Sequence, residues 1–188
     1  MRTKNSLINS VVAIGCYFIL FLGPFIVRPF IKELNGDLLG IEDLFLKAVA
    51  MLNIVEMGVS FGISYKLYKP LAENDIKRIA ILINLYKKTF KFIAIAIFTL
   101  GFITAIIIPL FVKENTFSNA WIRFVFMIYV LDALAAYLYG HKRAILIADQ
   151  KNYLVNLSRC FCQLLMFIAQ AFIIYCFNSF VIYAAARL

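Results

Sequence analysis

Long apolar runs, each broken by a short polar stretch, fill the chain from end to end. A membrane-spanning helix needs about 20 predominantly apolar residues at ~1.5 Å rise each. Runs of that kind cover 7–27, 44–65, 92–112, 120–139 and 153–177, and a further one starts at 180, after Asn178-Ser179, and stops with the chain. The pattern predicts an all-α fold, a polytopic transmembrane helical bundle with five spans and the start of a sixth. Arg2 and Lys4 precede the first run, as in a signal peptide. The run is too long for an h-region, however, and no small-x-small site follows before Arg28, so it reads as a retained helix kinked at Gly23-Pro24. Between the second and third runs, Ile76, Ile79, Ala80, Ile83, Tyr86 and Phe90 recur at helical spacing among basic residues. That spacing predicts an amphipathic interfacial segment over 76–91, with Pro70 and Glu73-Asn74-Asp75 as the break before it.

Basic residues orient the spans, because cytoplasmic loops gather Lys and Arg. Arg2 and Lys4 mark the N-terminus. The first connection carries Arg28, Lys32 and Lys47 among four acids, whereas the second carries seven bases between Lys66 and Lys91. Lys113 and Arg123 flank the third connection, and Lys142, Arg143, Lys151 and Arg159 fall in or beside the fourth. Basic excess therefore alternates with every crossing, and the N-terminus is expected in the cytoplasm.

Composition agrees. Of 188 residues, 64% are hydrophobic and 15% charged, against roughly half and a quarter in a soluble domain. A water-soluble enzyme, a disordered chain and a disulfide-rich secreted scaffold are excluded. The net charge of +9 follows from the loop asymmetry, so no nucleic acid is expected as partner, while anionic membrane lipids are. Cys16, Cys160, Cys162 and Cys176 lie inside apolar runs and read as small hydrophobes. His141 has no second histidine and no acid at ligand spacing. With no Gly-rich phosphate loop, no Cys/His pair and no metal cluster, the sequence predicts no enzyme, no cofactor and no metal site.

Ionisable groups within spans are costly and point to function by default. Glu56 and Asp132 each lie twelve residues into a span that runs from outside to inside. Both carboxylates then sit about 18 Å below the outer boundary, as coupling groups or polar contacts to a substrate. Arg28 closes the first span, where it either snorkels to the interface or enters an anion-binding cavity. Arg159, with Gln163 and Gln170, forms a polar stripe expected to face the bundle interior. Arg28, Glu56, Asp132 and Arg159 are the candidate cavity residues.

Four segments carry a family likeness. The stretch Leu67-Tyr68-Lys69-Pro70-Leu71-Ala72-Glu73-Asn74-Asp75, followed by Asn84-Leu85-Tyr86-Lys87-Lys88-Thr89-Phe90, resembles the connection between spans two and three of bacterial polysaccharide and O-antigen flippases. These are members of the multidrug/oligosaccharidyl-lipid/polysaccharide exporter superfamily. Arg2-Thr3-Lys4-Asn5-Ser6 is similar to the family's basic start. Leu52-Asn53-Ile54-Val55-Glu56-Met57-Gly58 resembles its second span, and the run from His141 to Lys151 resembles its loop between spans four and five. The resemblance implies the N-terminal lobe of a two-lobed transporter. Such a transporter flips undecaprenyl-pyrophosphate-linked oligosaccharide across the bacterial inner membrane by alternating access. Its partners would be the lipid-linked oligosaccharide, membrane lipids and a C-terminal lobe or other polysaccharide-synthesis proteins. Because the sixth run stops at Leu188, the chain is expected to be truncated and inactive alone. Asp37 and the Glu42-Asp43 pair make the first connection more acidic than the family pattern. Two rivals share the residues: a cation-coupled multidrug antiporter lobe and a non-transporting scaffold of polysaccharide synthesis.

The alternation of charge sets a direct expectation. Alkaline phosphatase fused after Asp37 or Ser118 should be active, and fused after Asn74 or Gln150 inactive. The reversed pattern would overturn the assigned orientation.

Overall fold

A computed structural model describes residues 2–112, 117–138, 140–149 and 151–187; the side chains of 2–6, 34, 55–61, 63, 64, 138, 141, 144 and 148 are not described. Among the described residues the chain is all α. Its helices are α1 (Arg2–Leu34), α2 (Gly36–Ala72), α3 (Ile76–Ile107), α4 (Asn119–Leu138), α5 (Gly140–Ala148), α6 (Asn152–Phe177) and α7 (Phe180–Ala185), and a 3₁₀ turn, Ile108–Phe111, closes α3. Four stretches of them are long and apolar enough to cross a membrane: Leu7–Glu33, Ile76–Phe111, Asn119–Tyr137 and Asn152–Phe177. The protein is a multi-pass helical membrane protein. The expected second span, 44–65, lies within α2, whose side chains at 55–61, 63 and 64 fall outside the description.

Local chemistry sets the helix boundaries. Asn35 caps α2, its side chain accepting from the Asp37 N–H at 3.0 Å, and Asp37 suits the positive end of the helix dipole. Of the break expected at Pro70 and Glu73-Asn74-Asp75, the second part is present, whereas Pro70 lies inside α2, which runs on to Ala72. Asn74 takes a left-handed backbone, φ 53°, and the Asp75 carboxylate accepts from the Arg78 N–H at 3.1 Å to start α3. From there α3 is unbroken through Ile107, so residues 76–91 and the third run form one helix. At 32 residues it is longer than the ~30 Å hydrocarbon core by about 18 Å. α1 is likewise one helix, with Pro24 and Pro29 inside it. At the end of α6, Asn178 is left-handed (φ 47°) and its N–H reaches the Ile174 carbonyl. This C-cap turns the chain back, and α7 descends beside α4 with Phe180 against Trp121, ring centroids 5.8 Å apart.

Two buried clusters hold the bundle. The first joins α1, α2, α4 and α7 through Ile31, Phe45, Phe126, Tyr129, Tyr183 and Ala184. The second gathers Leu67 and Leu52 of α2, Tyr86, Phe90 and Ile97 of α3, and Tyr137 of α4. Tyr137 also donates to Asn53 Oδ1 at 2.7 Å. Phe45 near Phe126 and Asn53 near Tyr137 show that α2 and α4 run parallel. Outward faces stay apolar: Phe18, Phe21, Phe92 and Phe172 are each more than 60% exposed, which in a bilayer places them against lipid rather than water.

Close approach depends on missing side chains. A Cβ on Gly101 of α3 would lie 2.6 Å from Val130 Cγ1 of α4. Valine is short and cannot swing clear, so α3 and α4 are in contact there only because position 101 is bare. Gly101→Val should therefore cost about 1–3 kcal/mol, read as a lower thermal midpoint in detergent. Adding Val130→Ala should recover part of that loss. Additive losses in the double variant would show that this contact does not set the approach of the two helices.

A buried carboxylate cluster and an open arginine groove

Glu42 lies in the second turn of α2 and is 6% exposed, one of the most buried charged side chains described. Tyr183 of α7 donates to Glu42 Oε1 at 2.5 Å, and Nη1 of Arg187 lies 3.8 Å from the same oxygen. Nε of Arg187 is 3.6 Å from Asp132 Oδ2 on α4. Its guanidinium also stacks over the Tyr129 ring, 4.7 Å from the centroid. Gln170 of α6, 1% exposed, donates from Nε2 to the Tyr183 carbonyl at 3.5 Å. One arginine thus serves two carboxylates and an aromatic face, drawn from α2 and α4.

The arrangement follows from the cost of burying charge. A carboxylate withdrawn from water requires a cation or donors, and breaking such a buried pair is strongly destabilising. Arg suits the task because its planar fork reaches two acids while its face rests on an aromatic ring. Tyr183 supplies the remaining donor. Tyr129 Oη and Arg187 Nε are buried without a hydrogen-bond partner among the described residues, so Arg187 meets Asp132 at ion-pair distance only.

Of the residues singled out in the sequence, Asp132 enters this cluster. Arg28 lies at its outer rim, paired with Asp43 at 2.7 Å with both side chains about half exposed. The Glu56 side chain is outside the description. Arg159 stands apart from the cluster. Together with Gln163 it lines an open groove of about 660 Å³ walled by Ile14, Tyr17, Phe18, Leu20 and Phe21 of α1. The stripe expected to face the bundle interior is therefore split: Gln170 is buried beneath α7 while Arg159 is exposed. The cause is the packing of α1 on α6. Asn9 Oδ1 accepts from the Tyr153 N–H, Cys16 meets Cys160 and Gly23 meets the Phe167 ring. These contacts form a seven-residue repeat on both helices. Such a repeat makes a continuous seam, and residues 159 and 163 fall to one side of it.

Glu42, Tyr183 and Arg187 were not singled out by the sequence. The acidic excess of the first connection was the signal for Glu42. Arg187 lies past the last long apolar run, where nothing along the chain marks its partners.

Removing Arg187 strands Glu42 and Asp132 together. Arg187→Leu should lower the unfolding midpoint in detergent, and Glu42→Gln/Arg187→Leu should be less damaged than the sum of the two single changes. The expected coupling is on the order of 1–3 kcal/mol, and additivity would show that the two do not act as a pair. In comparisons with known proteins, no family model, no curated protein and no solved structure matches this chain.

Proposed function

We propose that the chain is the N-terminal lobe of a flippase for undecaprenyl-pyrophosphate-linked oligosaccharide in polysaccharide or O-antigen export. In this reading it lies in the bacterial inner membrane with a cytoplasmic N-terminus, five spans and the start of a sixth, and a second helical lobe completes the path. The observation that carries it is the run of resembling segments in the same order along the chain: the basic start, the Glu56-Met57-Gly58 segment, the Lys- and Tyr-rich second connection and the His141–Lys151 loop. The physics is compatible. A pyrophosphate headgroup cannot cross hydrocarbon unaided, and a helical lobe with charged side chains held within its spans supplies what a polar path is built from.

A cation-coupled drug antiporter lobe would draw on the same intramembrane carboxylates. The pairing of Asp132 with Arg187 weighs against that alternative, since a coupling carboxylate must be free to exchange its cation. A membrane scaffold that binds polysaccharide-synthesis proteins without transport is the reading from a different class.

In cells, loss of the gene that encodes this chain should leave lipid-linked oligosaccharide accumulating on the cytoplasmic face and deplete surface polysaccharide. In the complete two-lobed transporter, Glu56→Gln should reduce export at least several-fold while protein remains in the membrane. Unchanged surface glycan after gene loss would overturn the flippase reading, and a scaffold would instead show loss of its partners without accumulation of unflipped lipid.

A further inference from the structure

Arg159 is the one side chain in its groove that carries a charge. In the α1–α6 register it is level with Gly15, about 12 Å into the bilayer from the start of the span at Leu7. No ion pair to Arg159 forms among the described residues, and the walls of the groove offer no acid. An unpaired guanidinium at that depth is expensive, and the standard remedies are a counter-charge or a snorkel toward the cytoplasmic headgroups.

The walls indicate which anion fits. Ile14, Tyr17, Phe18 and Phe21 are spaced as one face of α1, and each is more than 60% exposed. They form an apolar, partly aromatic trough that runs along α1. A trough of that direction accepts an acyl chain laid along it. Gln163, one turn beyond Arg159 on α6, adds an amide donor beside the guanidinium. A cation and an amide one turn apart in an apolar channel are complementary to a single molecule with a phosphate joined to hydrocarbon chains.

We propose that the groove between α1 and α6 binds an anionic phospholipid of the cytoplasmic leaflet. Its phosphate is held by Arg159 and Gln163, and one acyl chain lies against Tyr17, Phe18 and Phe21. The bound lipid neutralises Arg159 and covers the seam where α1 meets α6. The site is separate from the Glu42–Arg187 cluster, and the inference stands whether or not the chain belongs to a flippase.

The test is a thermal-shift titration of the purified full chain in a neutral detergent, with native mass spectrometry to count retained lipid. Phosphatidylglycerol should raise the midpoint of the wild type and remain bound, whereas phosphatidylcholine should do neither. Arg159→Gln should weaken the apparent affinity for phosphatidylglycerol about tenfold, the loss expected for one charge-assisted contact to phosphate. Arg159→Lys should retain part of the response, and Arg123→Gln, an exposed base at the start of α4, all of it. An equal phosphatidylglycerol response in Arg159→Gln and wild type would overturn the proposal. So would stabilisation by farnesyl pyrophosphate without any by phosphatidylglycerol, because the occupant would then be an isoprenoid carrier and not a phospholipid of the leaflet.

Discussion

Burying Glu42 is the constraint on which the α7 end of the bundle depends. A carboxylate that is 6% exposed among apolar helices must be met by donors and a cation, and both partners it finds, Tyr183 and Arg187, lie on α7 or just past its end. Tyr183 and Arg187 stand one turn apart on that strand of chain, so both reach inward only if α7 returns beside α2 and α4. The left-handed Asn178 that turns the chain and the Gln170 amide under the Tyr183 carbonyl serve the same end. Apolar packing alone would hold α7 loosely, since lipid is as apolar as the helices it competes with. The polar contacts give this short helix a defined seat.

Elsewhere the bundle relies on close fit. The seam between α1 and α6 repeats every seven residues, with Asn9, Cys16 and Gly23 opposite Tyr153, Cys160 and Phe167. Gly23 leaves room for the Phe167 ring. Gly101 does the same for Val130 between α3 and α4, and Gly140 for Phe90 between α5 and α3. Where no hydrophobic driving force separates helix from lipid, interdigitation of this kind supplies the dispersion contacts that favour one arrangement.

Helical class and multi-pass character were legible because each rests on one-dimensional properties: run length, apolar content and the break at Glu73-Asn74-Asp75. Asp132 was legible as a costly charge within a span. What the sequence could not show were meetings between distant residues. Glu42 reads as one acid of a polar connection until α7 is folded over it, and Arg187 reads as a terminal base until it lies beside Asp132. Arg159 shows the converse. Its spacing with Gln163 and Gln170 defines one helical stripe, but helical spacing gives no information on which neighbour covers which part of the stripe. The seven-residue seam decides that, by placing α1 over 153, 160 and 167 and leaving 159 open.

The two settings of charge also differ in what they can do. Asp132 and Glu42 share a guanidinium that is already committed to both and to the Tyr129 ring, so an incoming anion would have to displace a carboxylate to reach it. The exchange would cost a buried pair. Arg159 has no such commitment and stands in an open trough. Charge that is sealed inside a helical bundle fixes which helices are neighbours, whereas charge left in a groove is available to a ligand. In this chain the first kind is carried by residues whose partners lie more than fifty positions away, and the second by a residue whose surroundings are set almost entirely by one helix pair. Mutations in the cluster should therefore affect stability first, and mutations at Arg159 should affect binding first, even though both place an arginine within the membrane.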